Sequence, residues 1–252
     1  MTAPVVQLTD PHVGADWLGV GPMDTLAIVT AAIRALPDRP QAVLVTGDLT
    51  SDGSPDQYAQ LAAALAELEL PVFALPGNHD SRAALRAAFD VPGQGDDPIQ
   101  YAVELEGLRV LMLDTLRPGH AGGELGPARL AWLKRELASR REAPTLVAMH
   151  HPPIDTGIVG MDAIGLPGDD RAALATLLPE HPQVVGLIAG HVHRAITGSL
   201  AGRPVVTIPS TYAQLQLDLT RTDLPMAAAP VAFALHLVVG GRLVSHVETL
   251  SL

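Results

Sequence analysis

The chain has 252 residues, 48% of them apolar, no cysteine and a formal net charge of −11. That length and composition suit one α/β domain with a buried core and exclude a disordered chain. The lack of cysteine excludes disulfides, iron–sulfur clusters and cysteine-held zinc; the acidic balance, with Lys134 as the single lysine and no basic run, argues against a general grip on nucleic acid.

No apolar stretch reaches the roughly 18 residues that would mark a membrane span. Met1-Thr2-Ala3-Pro4 has no basic segment and leads straight into an apolar run, so a cytoplasmic location is expected. The run VVQL ends in Asp10-Pro11-His12. Helical spacing follows over Met23–Leu36, with Pro22 in the first turn. AVLVTG ends in Asp48. Ser54-Pro55-Asp56-Gln57 reads as a capping box opening a helix to about Leu70. VFALPG ends in Asn78-His79-Asp80, and Ser81 caps a short helix through Phe89. Tyr101–Leu105 and Arg109–Leu113 form a hairpin turning at Glu106-Gly107. A helix is expected from Pro127 to about Arg141. TLVAM ends in His150-His151, a helix spans Asp170–Leu178, and VGLIAG ends in His191-Val192-His193. Val231–Val239 and Arg242–Thr249 make a second hairpin around Gly240-Gly241. Val13–Gly21 and Pro152–Asp169 are left as long loops, expected to wall a substrate site.

The strand–helix alternation suggests a layered α/β sandwich. Five apolar runs with Asp, Asn or His endings point to one rim at the carboxyl ends of the strands. Oxygen and nitrogen donors of this kind suit divalent metal ions. Asp10 and His12, two apart after a strand, are expected on one side by strand alternation. His191 and His193 repeat that spacing. Gly77 permits a tight turn before Asn78.

Asp10-x-His12, Gly47-Asp48, Gly77-Asn78-His79-Asp80, His150 and Gly190-His191-x-His193 together resemble the calcineurin-like metallophosphoesterase superfamily, over about Val5 to Pro209. His150-His151-Pro152-Pro153, Gly202-Arg203-Pro204 and Pro209-Ser210-Thr211 resemble its branch of class III cyclic nucleotide phosphodiesterases and glycerophosphodiesterases. The resemblance implies a single domain over 1–252. Its fold would be an α/β/β/α sandwich of mixed sheets with a dimetal site at the carboxyl ends of the strands. It implies two metal ions, of iron, manganese or zinc. Asp10, His12 and His193 would hold one, Asn78, His150 and His191 the other, and Asp48 would bridge them. His79 would be no ligand but would assist the leaving group.

Two such ions about 3.5–4 Å apart can share one hydroxide and clamp a phosphoryl group for in-line attack. The expected substrate is a small phosphodiester, 3′,5′-cyclic nucleotides first and glycerophosphodiesters second. A nuclease or phosphomonoesterase ranks lower, and a metal-stabilised interaction module without turnover lowest. Asp48 is followed by Leu49-Thr50-Ser51-Asp52-Gly53. That run lacks the arginine of the protein phosphatases, and Ser51 replaces the tyrosine of the purple acid phosphatases. Trp17, Tyr212 and the loop 152–169 are expected to form an apolar wall. His151 stays outside the ligand set, and Arg194 and Arg203 are read as solvated or structural. The resemblance also implies a homodimer or higher homo-oligomer formed through C-terminal segments, with Met226–Val239 as the stretch to look at.

Overall fold

The computed structural model describes residues 1–251. Its first half runs β1 (Val5–Leu8), α1 (Pro22–Arg34), β2 (Val43–Thr46), α2 (Pro55–Ala66), β3 (Val72–Leu75) and α3 (Arg82–Ala88). Then follow β4 (Tyr101–Leu105), β5 (Leu108–Met112), α4 (Gly126–Ser139), β6 (Thr145–Ala148), α5 (Val159–Asp162) and α6 (Gly168–Leu177). The last part holds β7 (Val184–Ala189), β8 (Ile196–Leu200), β9 (Arg203–Thr207), β10 (Gln214–Leu215), β11 (Met226–Ala227), β12 (Val231–Val239) and β13 (Arg242–Leu250). One sheet has the order β13-β12-β1-β2-β3 and the other β4-β5-β6-β7-β9-β8, with β10 and β11 as a separate ribbon. β1, β2 and β3 are parallel; so are β5, β6, β7 and β9. Hairpin strands close the edges antiparallel.

Strand alternation explains why these runs are apolar throughout. Successive side chains leave opposite faces of a strand, and here both faces are covered. Val43 and Val45 of β2 pack with Leu26, Val29 and Ile33 of α1 and Leu61 of α2. Leu44 between them packs across the sandwich against Met112, Leu146 and Ile188. Val147 and Leu187 turn to the outer side of the second sheet, onto Leu133 and Leu137 of α4 and Leu174 of α6. The layers are therefore α/β/β/α, as the resemblance implies. The shared rim differs from the first expectation in one respect. Three endings come from β1, β2 and β3 of one sheet, and two from β6 and β7 of the other.

Local details depart from the sequence reading for physical reasons. Ser54 makes no side-chain cap on α2, and its N–H, which a capping box would give to the Gln57 side chain, goes to Asp52 Oδ1 at 3.1 Å instead. That helix stops at Ala66 rather than near Leu70, and Glu69 sits at φ 54°, which a right-handed helix does not allow. Ser81 does cap α3, its Oγ accepting from the Ala84 N–H at 3.4 Å. The loop after His151 is not wholly irregular, since it contains α5. Val239 pairs with Arg242 across Gly240-Gly241, whose φ values of 56° and 77° suit a two-residue turn. Part of the Met226–Val239 stretch is core, and its end at Val239 is exposed. β12 lies between β1 and β13, and Val231 to Ala234 are fully buried. Among the described residues no helix is long and apolar enough to cross a membrane.

Candidate metal centre

The candidate donors sit on turns, not on strands. β1 has ended at Leu8 before Asp10 and His12 are reached. Asp10, His12, Asp48, His191 and His193 have φ of 51°, 44°, 50°, 70° and 53°. Strand alternation therefore does not align Asp10 with His12; successive left-handed turns do. Such a backbone costs roughly 1–3 kcal/mol per residue and persists only where its surroundings enforce it. The enforcement is visible. Asp10 N–H donates to Gly47 O and His12 N–H to Asp48 O, both at 3.0 Å. His191 N–H donates to the Asp10 carboxylate at 3.1 Å. Close approach also demands glycine at Gly77, where a Cβ would stand 2.2 Å from Asp48 Oδ1.

These turns bring all seven predicted metal-site residues, and His79, to one place. His12 Nε2 and His193 Nε2 lie 3.1 Å apart, and His193 Nε2 is 3.5 Å from Asp10 Oδ1. On the other side, His150 Nε2 lies 3.1 Å from Asn78 Oδ1. Asp48 Oδ2 stands between the two groups, 3.6 Å from His12 Nε2 and 3.4 Å from His150 Nε2. The His191 ring is 5.0 Å from that of His150. Donor atoms of Asp10, His12 and His193 fall within 4.8 Å of one another, as do those of Asp10, Asp48 and His150.

The tautomers show what this cluster is built to hold. His150 Nδ1 bonds Thr46 O at 2.9 Å, His193 Nδ1 bonds Ala213 O at 2.6 Å and His191 Nε2 bonds Ile164 O at 3.1 Å. A carbonyl only accepts, so each of these nitrogens carries its hydrogen. The opposite nitrogen of each neutral ring then turns a lone pair inward, towards carboxylate and amide oxygens that also offer lone pairs. Acceptors facing acceptors call for a cation or a proton between them, and carbonyl-held imidazoles are the outer support that metal-binding histidines use. The residues fit a metal centre.

His151 does not belong to the donor set, although its ring is 4.4 Å from that of His191. Its Nε2 donates to Ala121 O at 3.0 Å and its Nδ1 is engaged by Thr115 Oγ1 at 2.8 Å, so both nitrogens are used.

Electrostatics agree. Burial pushes His12 and His191 well below the ordinary imidazole value, which keeps them neutral. Burial also opposes charge on His150, but Asp48 and Asp10 outweigh it and lift that imidazole to about 9. Burial opposes charge on Asp48 too, yet His150 and His12 hold it well below the usual carboxylate range. A proton on His150 thus relieves the two carboxylates when no metal does.

His79 is set apart. It is exposed, its N–H donates to Asp48 Oδ1 at 2.9 Å and its Nδ1 donates to Ser51 O at 2.8 Å. Nε2 is left free, with the ring edge-on to His12 at 4.9 Å.

The supporting roles of two residues escaped the sequence reading. Asp80 accepts from the N–H groups of Leu49, Thr50 and Gly77 at 3.1, 3.2 and 2.8 Å, and from Tyr58 Oη at 2.7 Å. It welds the turn after β2 to the turn after β3. Burial and the nearby Asp48 charge push it up to about 6. Gln7 is the second, a fully buried amide inside an apolar strand. Its Nε2 donates to Thr46 Oγ1 at 2.8 Å and to Ala189 O at 3.0 Å. The polarity of VVQL was the available signal.

His12, Asp48, Asn78, His79, His191 and His193 themselves line a pocket of about 140 Å³ whose other walls include Trp17, Met161 and Ile164. Tyr212 does not line it; it is fully buried, and its Oη accepts from the Trp17 N–H at 3.0 Å. Arg194 is structural, donating to Leu215 O at 2.6 Å.

A family model described as calcineurin-like phosphoesterase matches residues 3–195. Over 218 residues the chain is 36% identical to a probable cyclic nucleotide phosphodiesterase of Rhodococcus erythropolis, covering 83% of this chain and 71% of that one. Over 229 residues it is 31% identical to a glycerophosphodiester phosphodiesterase of Enterobacter lignolyticus, covering 89% and 82%. A solved dimetal phosphatase from Danio rerio shares the fold, with a TM-score of 0.76, 99% coverage of both chains and 18% identity.

Proposed function

Because the chain belongs to the calcineurin-like phosphoesterase family, we propose that it acts as a single domain over 1–252 and is a two-metal hydrolase of small phosphodiesters, 3′,5′-cyclic nucleotides foremost. The observation that carries the reading is Asp48 Oδ2, poised 3.6 and 3.4 Å from inward-facing nitrogens of His12 and His150. Asp10, His12 and His193 hold one ion in this reading. Asn78, His150 and His191 hold the second, and Asp48 is shared. Iron, manganese and zinc all suit the mixed imidazole, carboxylate and amide donors. A bound pair of such ions supplies a water of lowered pKa and a double positive clamp for the phosphoryl group.

The protein's own residues do the rest. Asp10 and Asp48 bring two negative charges against four or more positive ones, so the centre attracts an anion despite the acidic chain. Carbonyls of Thr46, Ala213 and Ile164 hold three imidazoles in the ligating tautomer. His79, with Nδ1 donating to Ser51 O, turns Nε2 to the leaving oxygen and, as the imidazolium with a hydrogen on both nitrogens, gives it a proton. A positioned acid of this kind contributes about 10²–10⁴ in rate.

Glycerophosphodiesters are the second reading, supported by the similarity to the enzyme of Enterobacter lignolyticus. The test is a panel on Mn²⁺-loaded protein, compared by kcat/KM: cyclic AMP, cyclic GMP, glycerophosphocholine, glycerophosphoethanolamine, bis-p-nitrophenyl phosphate and simple monoesters. Diesters are expected to lead. No turnover of any diester with two metals bound would leave a metal-stabilised interaction module instead.

A further inference from the structure

Away from the donors, the pocket they line is apolar. Apart from the candidate metal residues and His79, its side chains include Trp17, Met161, Ile164, Leu215, Leu224 and Met226, with the Trp17 indole N–H as the one hydrogen-bonding group among them. Its wall is a small core of its own. Ile158, Met161, Val192 and Leu215 pack together, with Ile164, Leu224 and Met226 against them. Two chain segments are zipped to build it. Val159 N–H donates to Leu219 O at 3.2 Å and Gly160 N–H to Arg221 O at 3.1 Å. Ile164 is tied to the centre itself, since its carbonyl accepts from His191. Trp17 closes the opposite side. Its indole lies 4.6 Å from the His12 ring and 6.5 Å from that of His193, and 40% of the residue remains exposed. Its backbone is held from below by Tyr212.

Resting on the phosphodiesterase reading, we infer that this pocket seats one ester group of the substrate, and that the group is planar and apolar on its faces, with Trp17 as the residue that selects it. The lining supports this. A glycerol arm would bring hydroxyls to aliphatic and thioether walls that offer them no partner, and sites discriminate strongly against unpaired polar groups. A flat heteroaromatic ring presents its faces to Trp17 and the methionines and its polar edge to the open mouth. The structure thereby favours diesters of nucleoside type over glycerophosphodiesters.

The test compares Trp17→Ala with the parent protein on cyclic AMP, bis-p-nitrophenyl phosphate and glycerophosphoethanolamine. KM for the two ring-bearing diesters should rise about tenfold, in line with the usual worth of one aromatic stacking contact, with kcat little changed. KM for glycerophosphoethanolamine should not move. Equal changes on all three substrates, or none, would overturn the inference. Glycerophosphocholine is the fourth arm, because a quaternary ammonium also binds an indole face. A loss there equal to that on cyclic AMP would overturn the planar assignment. A binding readout separates this inference from the catalytic one. In a Trp132→Phe background Trp17 is the one tryptophan left. Adenosine 5′-monophosphate should quench its fluorescence on metal-loaded protein and glycerol 3-phosphate should not. Quenching without turnover of any diester would sink the phosphodiesterase reading and keep the pocket. Turnover without quenching would do the reverse.

Discussion

His79 differs from the other histidines of the centre in being exposed while its backbone is pinned. Its N–H reaches Asp48 Oδ1 and its Nδ1 reaches Ser51 O, so the ring is aimed without being enclosed. Such a residue can change protonation during a reaction without disturbing the donors beside it. His79→Ala is therefore expected to keep two metals per chain while kcat falls by about 10²–10⁴. Metal content by elemental analysis, measured together with kcat, checks this; collapse of metal content would make His79 a ligand or a structural group. The identities of the candidate residues were legible in the sequence because donor type is written there. What aligns them was not. Spacing suggested strand alternation for Asp10 and His12, whereas φ of 51° and 44° does the aligning. Torsions of that kind are imposed by the neighbouring turn at Gly47 and Asp48, and nothing local to Asp10-Pro11-His12 announces it. Asp80 was quoted within its motif, but its partners at Leu49, Thr50 and Tyr58 lie 22 to 31 residues away.

At the level of elements, Gln7 of β1 is the joint between the two sheets directly below the centre. Its amide reaches Thr46 at the end of β2 and Ala189 at the end of β7, the strands that lead to Asp48 and to His191. The directions of the network follow from Ala189 O, which can only accept. Gln7 Nε2 must be the donor, so Gln7 Oε1 accepts from His236 Nε2 at 2.9 Å, and His236 Nδ1 accepts from Ser245 Oγ at 2.8 Å. Gln7→Leu replaces the amide with an apolar group of similar volume in an apolar layer. The exposed loss is small, but Thr46 and Ala189 lose a partner, and a buried group left unpaired costs about 1–3 kcal/mol. The variant is expected to fold, to bind its metals more weakly and to show the same KM pattern across substrates. Calorimetric metal titration checks this; unchanged metal affinity would reduce Gln7 to packing.

His236 adds a pH dependence. Burial pushes its imidazole down to about 3 from 6.5. Between those values the unfolded chain binds a proton that the folded chain refuses, so stability falls as pH drops from about 6.5 towards 3 and is full above that window. The slope is about 1.4 kcal/mol per pH unit for one such group. Urea unfolding at pH 7, 5.5 and 4.5 should show it, and His236→Gln should lessen the slope. An unchanged slope would contradict this account. Helices and strands themselves were largely readable, because stripes such as Tyr58, Leu61 and Leu65 carry the helical period. The network was unreadable, since Gln7 and His236 are 229 residues apart.

For the whole molecule, the arrangement of the candidate donors has a mechanical consequence. Asp10 and His12 follow β1 of the first sheet, and His193 follows β7 of the second. Asn78 follows β3 of the first, and His150 and His191 follow β6 and β7 of the second. Each proposed ion therefore draws ligands from both sheets, and Asp48 links the two sets. The pair would act as a staple at one end of a sandwich whose middle is held by apolar contacts such as Leu44 with Met112, Leu146 and Ile188. Ligands that bind only the folded state stabilise it by mass action, by about 2.7 kcal/mol for one site at one hundred times its Kd. For a domain of this size each kcal/mol moves Tm by about 2–4 °C. Chelation is then expected to lower Tm by roughly 5–10 °C per site at that saturation, with readdition of Mn²⁺ or Zn²⁺ restoring it. Hydrogen exchange should localise the loosening to the carboxyl ends of β1 and β7 together, because neither half of the staple holds without the other. Exchange that quickened on one sheet alone, or a Tm indifferent to chelator, would mean that the centre does not bridge the sandwich. The balance also depends on pH in the expected direction. Protons compete with metal for His150, whose imidazole the carboxylates lift to about 9 without metal, so the metal-dependent part of Tm should shrink as pH falls from about 9.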